Sequence, residues 1–188
     1  MRLVLLVLLI AIGAGLLTGG RLSALSGVTI RWAPLALVGF AMQVAAPSGR
    51  ASIPILMASF VLLTAFGIAN LKVPGFALIL AGILMNFLVI GINGGMPVEA
   101  NALTRSGQAD TLTLLIEEGG AKHHLAGPDD QLLFLADVIP IAPPIRQAVS
   151  SGDVVAYAGV AYVLIAGMHR ERRSRPGHAL EAEGVPGV

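Results

Sequence analysis

Residues 132–175 read LLFLADVIPIAPPIRQAVSSGDVVAYAGVAYVLIAGMHRERRSR, and this stretch decides how the chain is organised. One acid, Asp137, lies in an apolar run that ends at a proline-rich corner. A second acid, Asp153, opens a final hydrophobic segment, which a group of arginines follows. Because basic residues flank membrane spans on the cytoplasmic side, the pattern predicts a last span whose start, with both acids, faces away from the basic tail.

The composition is that of a membrane protein. Of the 188 residues, 55% are hydrophobic and 12% are charged, and the mean hydropathy is +0.82. A soluble domain would carry about 25% charged residues. The formal charge of +1 is too small to favour nucleic-acid binding. The chain has no cysteine, which excludes disulfides, thiol nucleophiles and cysteine-ligated metals.

Five apolar segments are predicted to be membrane helices. They cover residues 3–17, 32–46, 53–71, 76–92 and 153–168. The first has the length of a signal peptide, but the residues after it make a poor cleavage site, so we expect an uncleaved span. The last is short, about 24 Å of helix, so either its first turn begins earlier or the bilayer thins around it.

Between the fourth and last spans lies a polar segment, residues 93–152, that is too long for a bare connector. Two short amphipathic helices are predicted within it. One runs from Asp110 to Glu118 and stops at two glycines, residues 119–120. The other, from Gln131 to Ile139, is expected to lie on the bilayer surface and to end at Pro140.

These segments predict an all-α integral membrane protein with about five transmembrane helices and an extracytoplasmic loop domain. The predicted domains follow the chain in order. They are a four-helix transmembrane region at 1–92, the loop with short interfacial helices at 93–152, the last transmembrane helix at 153–170, and a basic, then disordered, cytoplasmic tail at 171–188.

Basic residues near the ends of the predicted spans set the orientation. With five spans, seven of them share one side, which the positive-inside rule makes cytoplasmic. Only Arg2 and Arg50 oppose them in short segments. We therefore predict a multi-pass protein of the cell membrane with its N-terminus outside and its C-terminus in the cytoplasm. The seven residues are Arg21, Arg31, Lys72, Arg170, Arg172, Arg173 and Arg175.

Asp137 and Asp153 are the candidate catalytic residues. Asp153 follows two serines and a glycine, so one interpretation is a capping box or a first-turn acid that interacts with the helix dipole. Asp137 would then belong with Asp130 to the solvated face of an interfacial helix. In the alternative interpretation the two carboxyl groups meet at the membrane boundary, where their proximity raises one pKa sharply. The sequence leaves both interpretations open.

Five further residues are supporting candidates. Asn86 lies about 9 Å inside the outer end of the fourth span, where a buried amide should bond to another helix. Asn93 opens a glycine-rich turn, and Arg146 is the basic residue nearest in sequence to the first acid. His123 and His124 are adjacent, and on a helix their rings would point about 100° apart. We therefore expect an exposed loop pair rather than a metal site.

Four stretches carry a resemblance to a known family. They are NGGMPV at 93–98, KHHL at 122–125, LADVIP at 135–140 and SGDV at 151–154. With them the chain is similar to a family of bacterial multi-pass membrane proteins that is known only as a domain of unknown function. The likeness covers most of the chain, and it implies membrane location without an activity.

The carboxyl part also resembles the lipoprotein signal peptidases, which are integral membrane aspartic proteases. Asp137 in LADVI and Asp153 in SSGDVVAYAGVAYVLI match the two catalytic aspartates of that family in order, approximate spacing and membrane side. Residues 76–86, FALILAGILMN, are similar to the family's span that ends in glycine-asparagine. Ser150 or Ser151 stands where that family has an asparagine before the second aspartate. The resemblance implies a carboxylate dyad.

Three functional hypotheses remain open from the sequence. The first is a structural or partner-binding membrane subunit of unknown biochemical role. The second is a membrane aspartic peptidase or hydrolase that uses Asp137 and Asp153 as acid and base and water as the nucleophile. The third is a small transporter component that acts as an oligomer, because five nearly uncharged spans offer no ion path within one chain. The expected partners are the lipid bilayer and a membrane protein or a second copy; no nucleic acid, cofactor or metal is expected.

Overall fold

The computed structural model describes residues 2–46, 52–117 and 122–170. Some features expected from the sequence lie outside the described residues: the turn at 47–50, the glycine stop at 119–120 and the tail at 171–188. The same holds for Arg50, Arg172, Arg173 and Arg175.

Helices dominate the described chain. In order they are α1 (Arg2–Leu17), α2 (Ala33–Ala45), α3 (Ser52–Ala69), α4 (Phe76–Asn93), α5 (Ala100–Ser106), α6 (Ala109–Glu117) and α7 (Ser151–Met168). Short 3-10 helices lie at Leu22–Gly27 and Leu133–Leu135. The amphipathic helix predicted from Asp110 is confirmed as α6. The last helix begins at Ser151, two residues before Asp153, so the short predicted span is explained by an earlier first turn.

Three helices, α3, α4 and α7, are long and apolar enough to cross a membrane. Each has 18 residues, or about 27 Å of helix, against a hydrocarbon core of about 30 Å. The apolar helices α1 and α2 are shorter, with 16 and 13 residues. Leu9, Leu37 and Val61 on these helices are more than half exposed, and a surface of this kind is covered by lipid rather than water. The chain is therefore a membrane protein.

The five apolar helices run alternately between two ends of a bundle. At one end the Arg21 N–H donates to the Met168 carbonyl at 2.8 Å, which joins the end of α1 to the end of α7. The 3-10 helix that follows packs against Gly167 of α7. The Asn70 side chain bonds to both the N–H and the carbonyl of Arg31 at 2.8 Å, which joins the end of α3 to the start of α2.

This arrangement collects the described basic residues of the predicted cytoplasmic side at one end of the bundle, which we call the basic end. They are Arg21, Arg31, Lys72 and Arg170.

The opposite end, which we call the sheet end, carries a small four-stranded sheet. Its strands are β1 (Met96–Val98), β2 (His123–Leu125), β3 (Asp137–Ile141) and β4 (Gln147–Ser150), in the order β2-β1-β3-β4. β1 is parallel to both of its neighbours, and β3 and β4 are antiparallel. The sheet is tied closely to the bundle, since α4 leads into β1 and β4 leads directly into α7.

The sheet corrects two sequence predictions. The fold is mostly helical but not all-α. The run from Gln131 to Ile139 is not an interfacial helix, because it contains a 3-10 helix and the start of β3, so Asp130 and Asp137 do not share a helix face. Pro140 would interrupt a helix, whereas the branched residues around it suit a strand that β1 and β4 can pair. The two histidines lie in β2 rather than in a loop.

Glycines bring α4 and α7 into close contact. Gly82 of α4 lies against the first turn of α7, where a Cβ added to it would come within 2.7 Å of the Ala156 Cβ. Gly75, just before α4, lies in the same way against Gly159 of α7. Small residues of this kind allow membrane helices to pack backbone against backbone. As a result, the side chain of Asn86 reaches the start of α7.

A cluster of buried apolar side chains joins the bundle to the sheet. It combines Phe60 of α3, Val89 and Ile90 of α4, Met96 of β1 and Leu135 of the second 3-10 helix. The cluster fixes the sheet against the helix ends and so fixes the position of β3, the strand that carries Asp137.

Candidate functional site

Asn86, Ser150 and Asp153 form a hydrogen-bonded group where α4 passes the first turn of α7. Asn86 Nδ2 donates to Asp153 Oδ1 at 2.8 Å, and the Ser150 hydroxyl donates to Asn86 Oδ1 at 2.9 Å. The Asp153 N–H donates to Ser150 Oγ at 2.9 Å, and the Ser150 N–H to Asp153 Oδ2 at 3.5 Å, which completes a capping box. The predicted capping role of Asp153 and the predicted interhelical bond of Asn86 are both confirmed.

Gly152 makes this approach of the two helices sterically feasible. A Cβ at this position would lie 2.8 Å from the Asn86 Cγ, which is too close for any side chain. The local sequence Ser-Ser-Gly-Asp therefore combines a cap, the first turn of a helix and space for the amide of the neighbouring helix.

The β3–β4 pairing brings Asp137 to the same place. Asp137 is the register partner of Ser150, the residue that caps α7, and it is only 7% exposed. Burial and, to a smaller extent, the charge of Asp153 raise the pKa of Asp137 to about 8. Its carboxyl group is therefore mostly protonated at neutral pH. The structure thus brings the two acids that the sequence singled out, 16 positions apart, close enough for the charge of Asp153 to act on Asp137.

His123 approaches Asp137 from β2, with Nε2 3.7 Å from Asp137 Oδ2. Desolvation lowers the pKa of His123, and the charge of Asp153 opposes that change. Because 54% of the His123 side chain is exposed, the lowering is smaller than it would be for an enclosed imidazole. With a mostly protonated acid and a mostly neutral imidazole near pH 7, this contact is not an ion pair.

A cavity of about 350 Å³ lies beside the hydrogen-bonded group, between the helices. Asp153, Asn86 and Tyr157 supply polar groups to its wall, and all five apolar helices contribute apolar surface. The other lining residues are Val4, Val7, Phe40, Gln43, Phe60, Leu63, Ile79, Gly82, Ile83, Ala156 and Val160. The arrangement is an apolar chamber with a carboxyl group in its wall.

The remaining supporting candidates have other roles. His124 contacts Asp130 at 2.9 Å and so ties down the loop after β2. The Asn93 side-chain amide donates to the Gln131 carbonyl and accepts from the Gln131 N–H. Arg146, the basic residue nearest in sequence to Asp137, does not pair with it, because the Arg146 guanidinium donates to the Gly107 carbonyl. These bonds are local to the sheet end and hold its loops.

Tyr157 and Ser150 belong to the site but were not predicted from the sequence. Tyr157 lies four residues after Asp153, a spacing that places both on one helix face, and this signal could have identified it. The sequence indicates Ser150 as part of a cap or as the counterpart of the peptidase asparagine, and nothing in it shows that Asn86 lies opposite. Within 2–46, 52–117 and 122–170, no group of three or more His, Cys, Asp or Glu residues could hold a metal ion.

The comparisons with known proteins identify a family but no chemistry. A profile described as a family of unknown function, DUF5317, matches residues 23–165, which is most of the chain. The chain belongs to DUF5317. This membership confirms the resemblance to a family of unknown function, leaves the biochemical role open and lends no support to the resemblance to signal peptidases.

A relative of this DUF5317 member is an uncharacterized protein from Thermotoga maritima. The two are 34% identical over 105 residues, which cover 54% of this chain and 57% of the relative. The match thus spans little more than half of the relative's length. No solved structure matches the chain.

Proposed function

We propose that this DUF5317 member crosses the cell membrane five times and binds a small amphipathic molecule inside its helix bundle. In this proposal the sheet end faces the exterior and the basic end faces the cytoplasm. The grouping of Arg21, Arg31, Lys72 and Arg170 at one end supports the orientation, because such residues are retained on the cytoplasmic side.

One observation carries the binding proposal, namely the cavity of about 350 Å³ that has apolar walls and the Asp153–Asn86 pair in its lining. Small-molecule sites commonly measure about 300–1,000 Å³ and combine apolar walls with a few polar groups. A bundle with only a structural role would be more stable with this space filled, because empty volume costs stability. A ligand with a short apolar chain and a polar end fits the space and its chemistry.

Filling the cavity tests the proposal. Val160 of α7 lines the cavity, so Val160→Phe should occupy part of it and exclude a ligand. The probe is 8-fluorooctan-1-ol, observed by fluorine NMR with the protein in lipid nanodiscs. The unsubstituted protein should show a saturable bound resonance, and Val160→Phe should show none.

The matched control is Ala158→Phe on the same helix. Ala158 is exposed on the outside of the bundle, so the added ring should face lipid and leave the bound resonance unchanged. No saturable resonance from the unsubstituted protein, or equal binding by both variants, would refute a cavity site.

A second candidate function is hydrolysis by the two carboxyl groups. One observation favours it: Asp153 lies close enough to Asp137 for its charge to contribute to raising the pKa of Asp137 to about 8, so Asp137 can carry a proton near pH 7. Such a pair can supply a general acid and a general base to an attacking water. Both oxygens of Asp153 already accept hydrogen bonds, so catalysis would require it to release at least one.

A fluorogenic lipopeptide tests the hydrolase. Cleavage that both Asp137→Asn and Asp153→Asn abolish, while both variants remain folded, would support it. Folded, unsubstituted protein that leaves the lipopeptide intact between pH 5 and pH 9 would argue against it, and the binding proposal would stand alone.

A further inference from the structure

We infer that the molecule held in the cavity carries a cationic amine at the end that meets Asp153. The inference rests on the proposed binding function and specifies its ligand class. It follows from the charges at the polar part of the cavity and from the side chains that surround it.

Asp153 is the acidic residue in the cavity wall, and within the described residues it makes no ion pair with a lysine or an arginine. Across the described ranges, the ion-pair contacts of acidic side chains are both made by histidines, and neither involves Asp153. Among the described residues, the groups that donate to the Asp153 side chain are neutral, the Asn86 amide and the Ser150 backbone N–H. Lys122, which immediately precedes β2, donates its ammonium group to the carbonyl of Gln43, another residue of the cavity wall, and not to Asp153.

Asp137 does not line the cavity, so the acidic group that a ligand there would meet is Asp153. Asp153 is partly buried between the helices. Burying a carboxyl group in this way is costly unless a donor or a cation compensates it. An ammonium group in the cavity would supply three donors and a positive charge.

The cavity walls fit the same chemistry. Phe40, Phe60 and Tyr157 line the space together with Asp153. Aromatic rings attract cations electrostatically through their faces, and this attraction is strongest where water is excluded. A carboxylate ligand would instead face a like charge in a low-dielectric setting, and an alcohol would gain a hydrogen bond without the charge interaction.

Three probes of equal chain length separate these cases. They are 8-fluorooctylamine, 8-fluorooctan-1-ol and 8-fluorooctanoate, compared by fluorine NMR with the complete protein in nanodiscs of zwitterionic lipid at pH 7. We expect the amine to bind about tenfold more tightly than the alcohol, and the octanoate to bind most weakly. Asp153→Asn should remove the preference for the amine and leave alcohol binding nearly unchanged, because the amide can still accept from Asn86.

Asp129→Asn is the matched control, since Asp129 is exposed in a turn of the sheet end and should leave all three affinities unchanged. Equal binding of amine and alcohol, or tightest binding of octanoate, overturns the inference while the cavity site stands. Absence of binding by all three probes instead removes the binding proposal itself.

Discussion

At the residue scale, the ionisation of Asp137 couples folding to pH. Its pKa rises from an ordinary 3.8 to about 8 in the folded protein. Between these values the folded state keeps a proton that the unfolded chain has lost, so this group makes stability fall as the pH rises from about 4 to about 8. The slope that one group contributes is at most about 1.4 kcal/mol per pH unit. Asp137→Asn should remove this contribution, and reversible unfolding in mixed micelles at pH 5 and pH 8 measures it.

The change of the stability difference with pH has a definite expected sign. The stability of Asp137→Asn relative to the unsubstituted protein should increase from pH 5 to pH 8. Asp129→Asn, at an exposed turn, should follow the unsubstituted protein across the same interval. A difference between Asp137→Asn and the unsubstituted protein that does not change with pH would show that the raised pKa is absent.

At the scale of elements, the α4–α7 contact depends on the absence of side chains at particular positions. A Cβ added to Gly82 would lie within 2.7 Å of Ala156 atoms, so Gly82→Ala must push the helices apart. We expect it to lower the free energy of unfolding by about 1–3 kcal/mol. It should also weaken probe binding, because Asn86 and Asp153 would separate. Unfolding in mixed micelles gives the first quantity and fluorine NMR the second.

Gly91 on the same helix provides the comparison. A Cβ there would meet only the Met57 sulfur at 3.6 Å, an ordinary contact. Gly91→Ala should therefore be neutral or stabilising by up to about 1 kcal/mol, because alanine favours helix more than glycine does. Equal effects of the two substitutions would mean that α4 and α7 do not pack closely at Gly82.

The second 3-10 helix exposes apolar side chains at the level where α7 begins. Phe134 is 69% exposed, and its carbonyl accepts a hydrogen bond from Ser151, the first residue of α7. Although the predicted surface helix is absent, we still expect this stretch to lie in the membrane interface, where aromatic rings are favoured. The chain has one tryptophan, Trp32, so Phe134→Trp in a Trp32→Phe background gives a single fluorophore.

Lipids brominated near the headgroup should quench that fluorophore more than lipids brominated deep in the chain. Val61→Trp in the same background, at the exposed middle of α3, should show the opposite order. Quenching of Phe134→Trp by aqueous acrylamide alone would place this stretch in water instead.

At the scale of the whole molecule, the proposed five spans would place the sheet end and the basic end on opposite sides of the membrane. The chain lacks cysteine, so Asp129→Cys and Ser26→Cys each introduce a unique thiol, one at each end. A membrane-impermeant maleimide should label Asp129→Cys on intact cells and Ser26→Cys only after permeabilisation. Labelling of both thiols on intact cells would exclude five spans, and the reverse pattern would invert the orientation.

The sequence by itself determined the apolar helices to within about two residues at most ends. It did so because each is a continuous apolar run between glycines, prolines or charges, and hydrocarbon requires every backbone group in such a run to be bonded within its own helix. The basic residues near alternate ends of the predicted spans also indicated which helix ends lie together at the basic end of the bundle. Ser150 and Asp153 indicated the cap of α7 in the sequence, because a capping box is a local interaction between residues three positions apart.

The tertiary structure alone decided the small sheet, the approach of the polar residues to one another and the cavity. Residues 131–139 are apolar enough for a surface helix, and only pairing of β3 with β1 and β4 made the run from Asp137 a strand. That pairing, together with the glycine contact between α4 and α7, brought Asn86, Asp137 and Asp153 together from distant positions. The cavity has no sequence signature, because its walls come from five separate helices. Local patterns follow from neighbouring residues, whereas a site follows from contacts between elements that only packing can select.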